Sequence, residues 1–300
     1  MNDQGTTPNI STNWKDPFQL IREIIVEQDS KIYFIPNPGN VGDALIASSA
    51  YQLFDKNDIK INIFDENVTL TKKNILVYGG GGNLVPNYNH ARNIIDTYHD
   101  KVRALIVLPH TINGHSDLLN KLGPNVYLFC REDISYSYTL QHAINAKIFR
   151  YNDLAIQFDI NYIKTNWYNA CKVCKNYRKG FYSLYFDALR ARKISTNLYC
   201  FRTDGEAKGV SPNSDINLDI STYFGIGYMA DKNTTHILSK YVLYIINKFD
   251  KIYTNRLHIC IAGYLLNKEV YFYPNSYYKN EAVFDSSLKS LSSKIVWVDD

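Results

Sequence analysis

The sequence predicts an α/β protein made of two Rossmann-like units that face a cleft. Short apolar segments typical of strands alternate with longer amphipathic segments typical of helices. Glycines and polar residues cluster where the predicted strands end, as they do at the carboxyl edge of a parallel sheet. A basic stretch interrupts this alternation in the middle of the chain. We therefore expect an N-terminal unit over residues 1–160, a basic helical bridge over 161–195 and a C-terminal unit over 196–300.

The first unit begins with a predicted amphipathic helix, Pro17–Glu27, because Asp16 is a suitable cap and Pro17 fits the first helical position. Six short apolar segments predict strands at Lys31–Ile35, Ile59–Phe64, Ile75–Tyr78, Ala104–Leu108, Val126–Cys130 and Lys147–Tyr151. The segments between them predict helices at Ala44–Phe54, Ala91–Tyr98 and Ile134–Ala143.

The second unit follows the same pattern. Strands are predicted at Thr196–Phe201, Lys251–Thr254, Glu269–Tyr273 and Ile295–Val298, and helices at Asp231–Phe249 and Ile259–Leu266. The bridge before it is expected to be helical with an interruption at Gly180, and it carries many lysines and arginines against one acid, Asp187. A solvated basic face is the simpler explanation for this charge. Attraction to an anionic lipid-linked molecule or a membrane surface is the alternative.

Composition narrows the class of protein. Three hundred residues, 45% of them hydrophobic, can form two globular domains, and a net charge of +4 is too small to indicate a nucleic-acid partner. No apolar segment approaches the roughly 20 residues that span a bilayer, and the polar N-terminus lacks a secretory pattern. Five scattered cysteines suggest reduced thiols in the cytoplasm. The single Cys171–Cys174 pair, without a second pair or nearby histidines, leads us to expect no metal site.

Arg256-Leu257-His258 is the most informative stretch of the chain. It follows a predicted strand and opens a predicted helix, with Thr254 or Asn255 as the expected N-cap, and such junctions bind anions. Arginine recognises phosphate or carboxylate through two parallel hydrogen bonds, and histidine exchanges protons near neutral pH. A structural ion pair and a core histidine are the simpler explanation for these residues taken singly.

Further charged residues follow other strands of the second unit. Arg202 would reach the same sheet edge as Arg256, so that two guanidinium groups could bind one small anion. Asp204 and Glu206 are candidates to orient these cations or to bind hydroxyl groups. Lys279 adds a positive charge after the next strand.

Two segments of the first unit also lie at predicted strand ends. In Asn40-Val41-Gly42-Asp43, the glycine permits close approach of a ligand, and Asp43 either caps the helix or holds a hydroxyl group. Gly79–Gly82 precedes Asn83 and implies close approach by a ligand or by neighbouring backbone. This run fits neither dinucleotide nor P-loop patterns, because Leu84 replaces the third glycine and no lysine follows.

The ordered set of motifs resembles the polysaccharide pyruvyl transferases. From about Ile35 to Lys279 the chain carries N-V-G-D, G-G-G-N, L-P-H-T, R-E-D-I-S, D-L-A, R-T-D-G-E and N-R-L-H. His110 departs from the pattern, since many relatives have glutamine there. The resemblance implies a GT-B-like fold and transfer of a pyruvyl group from phosphoenolpyruvate to two sugar hydroxyls, which forms a cyclic ketal.

The resemblance also implies roles for the candidate residues. Arg256, Leu257 and His258 match the donor-binding R-L-H, and Arg202 is a plausible second donor ligand, with Lys279 beside it. In the chemistry that we expect, His258 protonates the donor and Asp43 or Glu206 accepts the hydroxyl proton. The remaining candidates for the acceptor side or its loops are Asn40, Gly42, Gly80, Gly81, Asn83 and Asp204.

No cofactor is expected beyond phosphoenolpyruvate as co-substrate. The expected partner is a sugar acceptor, lipid-linked or polymeric, with peripheral association at the inner face of the membrane. Two other functions remain open: a GT-B-type glycosyltransferase that uses a nucleotide sugar, and a non-catalytic carbohydrate-binding or scaffold protein, for which the 25 tyrosines would supply stacking surfaces.

Overall fold

Two parallel β-sheets with helices on their faces form the framework of the protein. The computed structural model describes residues 13–26, 30–162, 175–207, 216–225, 227 and 229–299. Within these ranges, no helix is both long and apolar enough to cross a membrane.

The first sheet is wholly parallel, and its strand order reverses once. Its strands are β1 Lys31–Ile35, β2 Asn62–Ile63, β3 Asn74–Tyr78, β4 Gly81–Leu84, β5 Ala104–Ile112, β6 Val126–Cys130 and β7 Lys147–Arg150. Their order is β2-β1-β3-β5-β6-β7, and β4 also pairs with β5. The order turns between β1 and β3, the position at which open parallel sheets form a ligand crevice.

The second sheet keeps the order of the chain. Its four parallel strands are β8 Leu198–Cys200, β9 Lys251–Thr254, β10 Glu269–Phe272 and β11 Ile295–Trp297. The described helices are α1 Pro17–Val26, α2 Val41–Lys56, α3 His90–Tyr98, α4 Ser116–Leu119, α5 Asp133–His142, α6 Arg178–Ile194, α7 Lys232–Ile246, α8 Leu257–Leu265, α9 Lys279–Val283 and α10 Lys289–Leu291. Short 3-10 turns lie at Leu154–Gln157, Lys175–Tyr177 and Ile220–Thr222, and a π turn lies at Phe284–Leu288.

Helix α2 begins earlier than the sequence suggested. Asn40 is its N-cap: the Asn40 side chain accepts from the Gly42 N–H at 2.8 Å, and the Asp43 carboxylate accepts from the Asn40 N–H at 3.0 Å. This reciprocal capping box satisfies two N–H groups that a helix start leaves without partners. Asp43 is therefore fixed in the first turn of α2, at the carboxyl edge of the first sheet.

The predicted end of β5 at Leu108 is wrong. The strand continues through Pro109, His110 and Thr111 to Ile112, and every one of its residues is buried. Its register against β6 shifts between Val107 and His110, and this irregularity accommodates a proline, which has no N–H to donate. The glycine run also differs from the expected loop, because its second half forms strand β4.

The predicted interruption of the bridge at Gly180 is also wrong. Helix α6 passes through Gly180 without a break, and a Cβ there would lie 2.5 Å from the Tyr223 carbonyl oxygen. The glycine thus allows close packing of the helix on the chain around Tyr223. Residues 163–174 of the predicted bridge, including Cys171 and Cys174, lie outside the described residues.

The two sheets share one hydrophobic core. A single buried cluster runs from Phe18 in α1 to Ile295 in β11, and α2 packs against α7. Polar contacts cross the same boundary: the Tyr51 hydroxyl donates to the Met229 carbonyl at 2.7 Å, and Ser48 bonds His236. These contacts hold the carboxyl edges of the sheets on either side of one cleft.

Candidate functional site

A cleft of about 410 Å³ lies between the carboxyl edges of the two sheets. This volume is in the range of sites for small ligands. Nearly all of its lining residues follow a strand of one sheet or the other. The polar side chains that line it include Asn37, Asn40, Asp43, Asn83, Tyr88, Asn89, His90, Arg131, Arg202, Glu206, Ser221, Arg256, His258 and Lys279.

Arg256 is a buried cation whose orientation is set by carboxylates. Only 6% of its surface is exposed, and it forms two hydrogen bonds with Asp219, one of them at 3.0 Å from Nε to Oδ1. Its Nη1 lies 3.2 Å from Asp204 Oδ2. Such a paired guanidinium keeps one geometry before any ligand arrives.

Asp204 bridges the two arginines of the second sheet. Arg202 donates to both of its oxygens, at 2.8 Å from Nε and 3.0 Å from Nη2, and Arg256 contacts the same carboxylate. Burial would raise the pKa of Asp204, but the hydrogen bonds from Arg202 lower it to about 2. Asp204 is nevertheless half exposed, so a carboxylate at the surface occupies the position where two guanidinium groups converge.

Glu206 is held by three donors. The Tyr88 hydroxyl donates to it at 2.6 Å, Arg202 Nη1 lies at 2.6 Å and Lys279 Nζ lies at 3.0 Å. Burial raises the pKa of this carboxyl, but the charge of Lys279 and the other partners outweigh that effect and lower the pKa. Glu206 thus remains ionised, and its proton affinity is poorly matched to a base at neutral pH.

Lys279 carries a charge that is sensitive to pH near neutrality. Burial lowers its pKa to about 8, because desolvation and the nearby charges of Arg202 and Arg131 outweigh the attraction of Glu206. The lysine would gain from an anionic ligand in the cleft, since that ligand would favour its charged form.

His258 lies in the first turn of α8, and its ring joins the two halves of the cleft. The expected N-cap of α8, Thr254 or Asn255, was wrong, because Arg256 occupies that position. Thr254 instead accepts from the Arg256 N–H at 3.0 Å, and Asn255 accepts from the Arg202 N–H at 2.8 Å. Asn255 therefore ties together the two strand ends that carry the arginines.

The imidazole faces a buried ion pair. His258 Nε2 lies 3.7 Å from Asp153 Oδ2, and the same oxygen accepts from Arg131 Nη1 at 2.7 Å. Burial would raise the pKa of Asp153, but His258 and Arg131 hold it well below its usual range. The other ring nitrogen packs on Gly42, where a Cβ would lie 2.4 Å from His258 Nδ1. Only glycine leaves room for the ring at this position.

Asp43 is a carboxyl of the cleft whose charge is incompletely compensated. It is half-buried, and desolvation raises its pKa despite the opposing effects of His258, the Asn40 N–H, Arg131 and Lys279. A carboxyl with a raised pKa beside a histidine is suited to exchange a proton with a bound hydroxyl group.

In the glycine run Gly79–Gly82, the missing side chains leave room for neighbouring protein atoms. A Cβ at Gly82 would lie 2.6 Å from Arg131 Nη2, and one at Gly80 would lie 2.9 Å from the Pro109 carbonyl oxygen. Neutral His110 anchors the run, since its Nε2 lies 3.1 Å from the Asn83 backbone nitrogen. Burial lowers the pKa of His110 to about 3. Its role is to position Asn83, which lines the cleft.

Comparison with known proteins identifies the family. The model of the family described as "Polysaccharide pyruvyl transferase" matches residues 40–277, most of the chain and every strand but β1 and β11. The chain belongs to the polysaccharide pyruvyl transferase family.

Two relatives extend along nearly the whole chain. It is 25% identical over 305 residues to a protein of Bacillus subtilis (strain 168) named "Putative pyruvyl transferase EpsO", and the match covers 93% of this chain and 92% of that one. It is also similar, at 28% identity and a TM-score of 0.73, to the crystal structure of a "functional uncharacterized protein" from Klebsiella pneumoniae subsp. pneumoniae NTUH-K2044. That match covers 95% of this chain and 99% of the other.

The structure of this pyruvyl transferase family member brings most of the sequence-predicted residues together. Ten of the candidates line the cleft: Asn40, Gly42, Asp43, Asn83, Arg202, Glu206, Arg256, Leu257, His258 and Lys279. Gly80 and Gly81 lie outside its lining and pack on protein atoms instead, while Asp204 contacts both arginines at the rim.

Sequence reasoning missed three buried partners. Arg131 and Asp153 follow strands β6 and β7, so their positions at strand ends were a usable signal. Asp219 lies in a polar segment between β8 and α7, and nothing in the sequence distinguishes it from nearby acids.

Proposed function

We propose that this protein transfers the pyruvyl group of phosphoenolpyruvate to two hydroxyl groups of a sugar in a surface polysaccharide or its precursor, with release of phosphate. The observation that carries the proposal is the convergence of Arg202, Arg256 and Lys279 with His258 and Asp43 in one cleft. Phosphoenolpyruvate is a compact anion with a carboxylate and a phosphate, and both groups suit guanidinium partners.

Our proposal assigns the donor to the second-sheet side and the acceptor to the first-sheet side. In this scheme residues 196–300 form the donor unit and residues 1–160 the acceptor unit of a GT-B-like arrangement, joined by 161–195. The location that we propose is the cytoplasm, at the inner face of the membrane.

Asp204 suggests how the donor enters. Its carboxylate bridges Arg202 and Arg256, which is the contact that a phosphate or carboxylate of the donor would make. Because Asp204 is half exposed and lies on a connecting segment, we propose that the donor displaces it. Asp219 and Glu206 keep the two guanidinium groups in place during this exchange.

The chemistry requires one acid and one base. In our scheme His258 gives a proton to the methylene carbon of phosphoenolpyruvate, which leaves an oxocarbenium-like centre at the neighbouring carbon. A sugar hydroxyl adds to that centre and loses its proton to Asp43. Phosphate then departs with its bonding electron pair, stabilised by the arginines, and the second hydroxyl adds with loss of its proton. One proton enters the methyl group and two leave the hydroxyls; one of these two restores the proton that His258 gave up, and the other ends on phosphate.

Asp43 suits the role of base better than Glu206. The pKa of Asp43 is raised, and its neighbours leave the carboxyl facing the cleft. Glu206 has its oxygens engaged by Tyr88, Arg202 and Lys279. We therefore assign Glu206 to positioning these cations.

The first test is thermal stabilisation of the purified protein by phosphoenolpyruvate, beside UDP, GDP and pyruvate. A ligand at 100 times its Kd stabilises the native state by about 2.7 kcal/mol. We expect a shift with phosphoenolpyruvate that Arg256→Ala abolishes. A shift with UDP or GDP instead would indicate a nucleotide-sugar glycosyltransferase, and the absence of any shift, also in the presence of a sugar acceptor, would contradict donor binding.

The acid is tested by His258→Gln. Because glutamine retains polarity but cannot deliver the proton, kcat should fall by about 10²–10⁴ while donor affinity changes little. The measurement is phosphate release under saturating donor, together with the Kd for phosphoenolpyruvate. Turnover at the wild-type rate would remove His258 from the mechanism.

A further inference from the structure

Helix α6 has two apolar faces, and one of them is exposed. Its inner face buries Phe181, Leu184 and Ala188 in the core. On the opposite side Tyr182 and Phe186 lie one turn apart, and 57% and 55% of their surfaces are exposed. A helix that packs one face on a core normally presents polar residues on the other. Packing within the described part of the chain therefore does not account for the exposed positions of these two aromatic rings.

Basic side chains surround the exposed rings. Tyr182, Phe186 and Leu189 line a shallow surface groove together with the basic residues Arg190, Arg192 and Lys193. We call this the outer face of α6. The acid of the helix, Asp187, is already neutralised, because it accepts from the Tyr223 hydroxyl at 2.9 Å and pairs with Arg190 at 2.9 Å. The outer face is thus apolar at its centre, and Arg192 and Lys193 make it positive toward its C-terminal end.

The exposed rings and the basic side chains together favour one kind of partner. Aromatic rings among lysines and arginines are typical of helices that lie in the interface of a bilayer, where the rings enter the headgroup region and the cations pair with anionic lipids. An apolar protein partner would explain the rings but not the charge. A solvated basic face would explain the charge but not the rings.

The inner face of α6 connects this surface to the cleft. Phe181 stacks edge-on against Phe224 at 5.4 Å, and Gly180 packs on Tyr223. The same segment carries Asp219, which holds Arg256, and Ser221, which lines the cleft. One packed segment therefore links α6, which carries the outer face, to the cleft.

We propose that the outer face of α6 docks the protein on an anionic membrane. The further step, that docking presents a lipid-linked sugar acceptor to the cleft, rests on the proposed function. The docking itself does not.

Vesicle co-flotation tests the docking without any substrate. We expect the full-length protein to float with vesicles of phosphatidylcholine and phosphatidylglycerol, not with phosphatidylcholine alone, and salt of about 1 M, where the Debye length falls to about 3 Å, should weaken binding. Tyr182→Ser with Phe186→Ser, and separately Arg192→Gln with Lys193→Gln, should each reduce binding about tenfold or more.

The matched control changes the same kinds of residue elsewhere. Ile144 and Lys121 are strongly exposed and lie far from α6 in the chain, so Ile144→Ser with Lys121→Gln should bind vesicles as the wild type does. All variants should keep the wild-type melting temperature, because the changed side chains are exposed. They should also keep their phosphoenolpyruvate-dependent shift, because none of these residues lines the cleft.

Three outcomes would overturn the proposal. The first is equal vesicle binding by the outer-face variants and the wild type, and the second is no binding by the wild type. The third is a dimer, seen by analytical ultracentrifugation, that Tyr182→Ser with Phe186→Ser dissociates, since the face would then be a subunit interface. Failure of the donor-binding test would leave the vesicle result unaffected, so the two proposals fail separately.

Discussion

The two edges of the cleft differ in how their charges are compensated. At the second-sheet edge, Arg202 and Arg256 are each bonded to carboxylates before any ligand is bound. At the first-sheet edge, Asp43 is a half-buried carboxyl whose hydrogen-bond partner is the Asn40 N–H, and its pKa is raised.

The difference in charge compensation suits one edge of the cleft to anion binding and the other to proton transfer. A guanidinium group held by fixed carboxylates loses little freedom when an anion arrives, which is how preorganised binding sites gain affinity. A carboxyl with a costly charge exchanges protons more easily than one stabilised by cations. The geometry therefore favours donor binding at the second sheet and proton exchange at the first.

Arg256→Lys should impair the second-sheet edge more than any other change that we consider. Lysine keeps the charge but cannot form two parallel bonds to Asp219 and still reach the Asp204 position, so kcat/KM should fall by about 10³. Steady-state phosphate release measures the effect. The loss should appear as weaker donor binding as well as slower turnover.

Arg150 supplies the matched control. It is equally buried and bonds Asp133 at 2.7 Å, but it lies outside the lining of the cleft. Arg150→Lys should reduce stability while leaving kcat/KM of the folded protein unchanged. Equal losses of kcat/KM in both variants would mean that Arg256 acts through the fold and not as a donor ligand.

Asp43→Asn tests the other edge. Asparagine can still accept from the Asn40 N–H, so the cap of α2 survives, and a charge with an unfavourable desolvation cost is removed. We expect kcat to fall by about 10² while the free energy of unfolding stays level or rises. Asp43→Ala should lose the same activity and, in addition, about 1 kcal/mol of stability with the cap. Full activity of Asp43→Asn would return the role of base to Glu206.

The sequence predicted most of the longer elements, and its candidate residues include most of the polar residues that line the cleft. Strands such as Lys31–Ile35, Val126–Cys130 and Lys251–Thr254 have the predicted bounds, because short apolar segments between polar turns leave little ambiguity. The residues that follow these strands meet at the carboxyl edges of parallel sheets, so the positions of Arg202, Arg256 and Asp43 could be anticipated.

What the sequence could not supply is pairing across long separations. Asp219 meets Arg256 over 37 positions, and His258 meets Asp153 over 105, so no local pattern connects them. Local rules also failed at Pro109, where a register shift lets a central strand accept a proline. Both kinds of miss arise where tertiary contacts outweigh local preference.

Asp153→Asn tests whether the imidazole depends on its buried partner. Asp153 acts through His258 and is a positioning residue, so we expect a loss of about tenfold in kcat, less than for removal of the acid itself. The loss should appear in kcat and not in the Kd for phosphoenolpyruvate, because Asp153 does not line the cleft. An equal weakening of donor binding would indicate only a structural role in pairing Arg131.

Lys279 should make a smaller contribution, a pH dependence of donor binding. Its pKa in the free protein is about 8, and an anionic donor favours the charged form, so donor binding takes up a proton above that pH. The Kd for phosphoenolpyruvate should therefore be level below pH 8 and rise by up to about tenfold per unit above it. Isothermal titration across pH 7 to 9 measures this slope. Lys279→Arg keeps its charge throughout this range and should flatten the profile, whereas an unchanged slope in that variant would place the titrating group elsewhere.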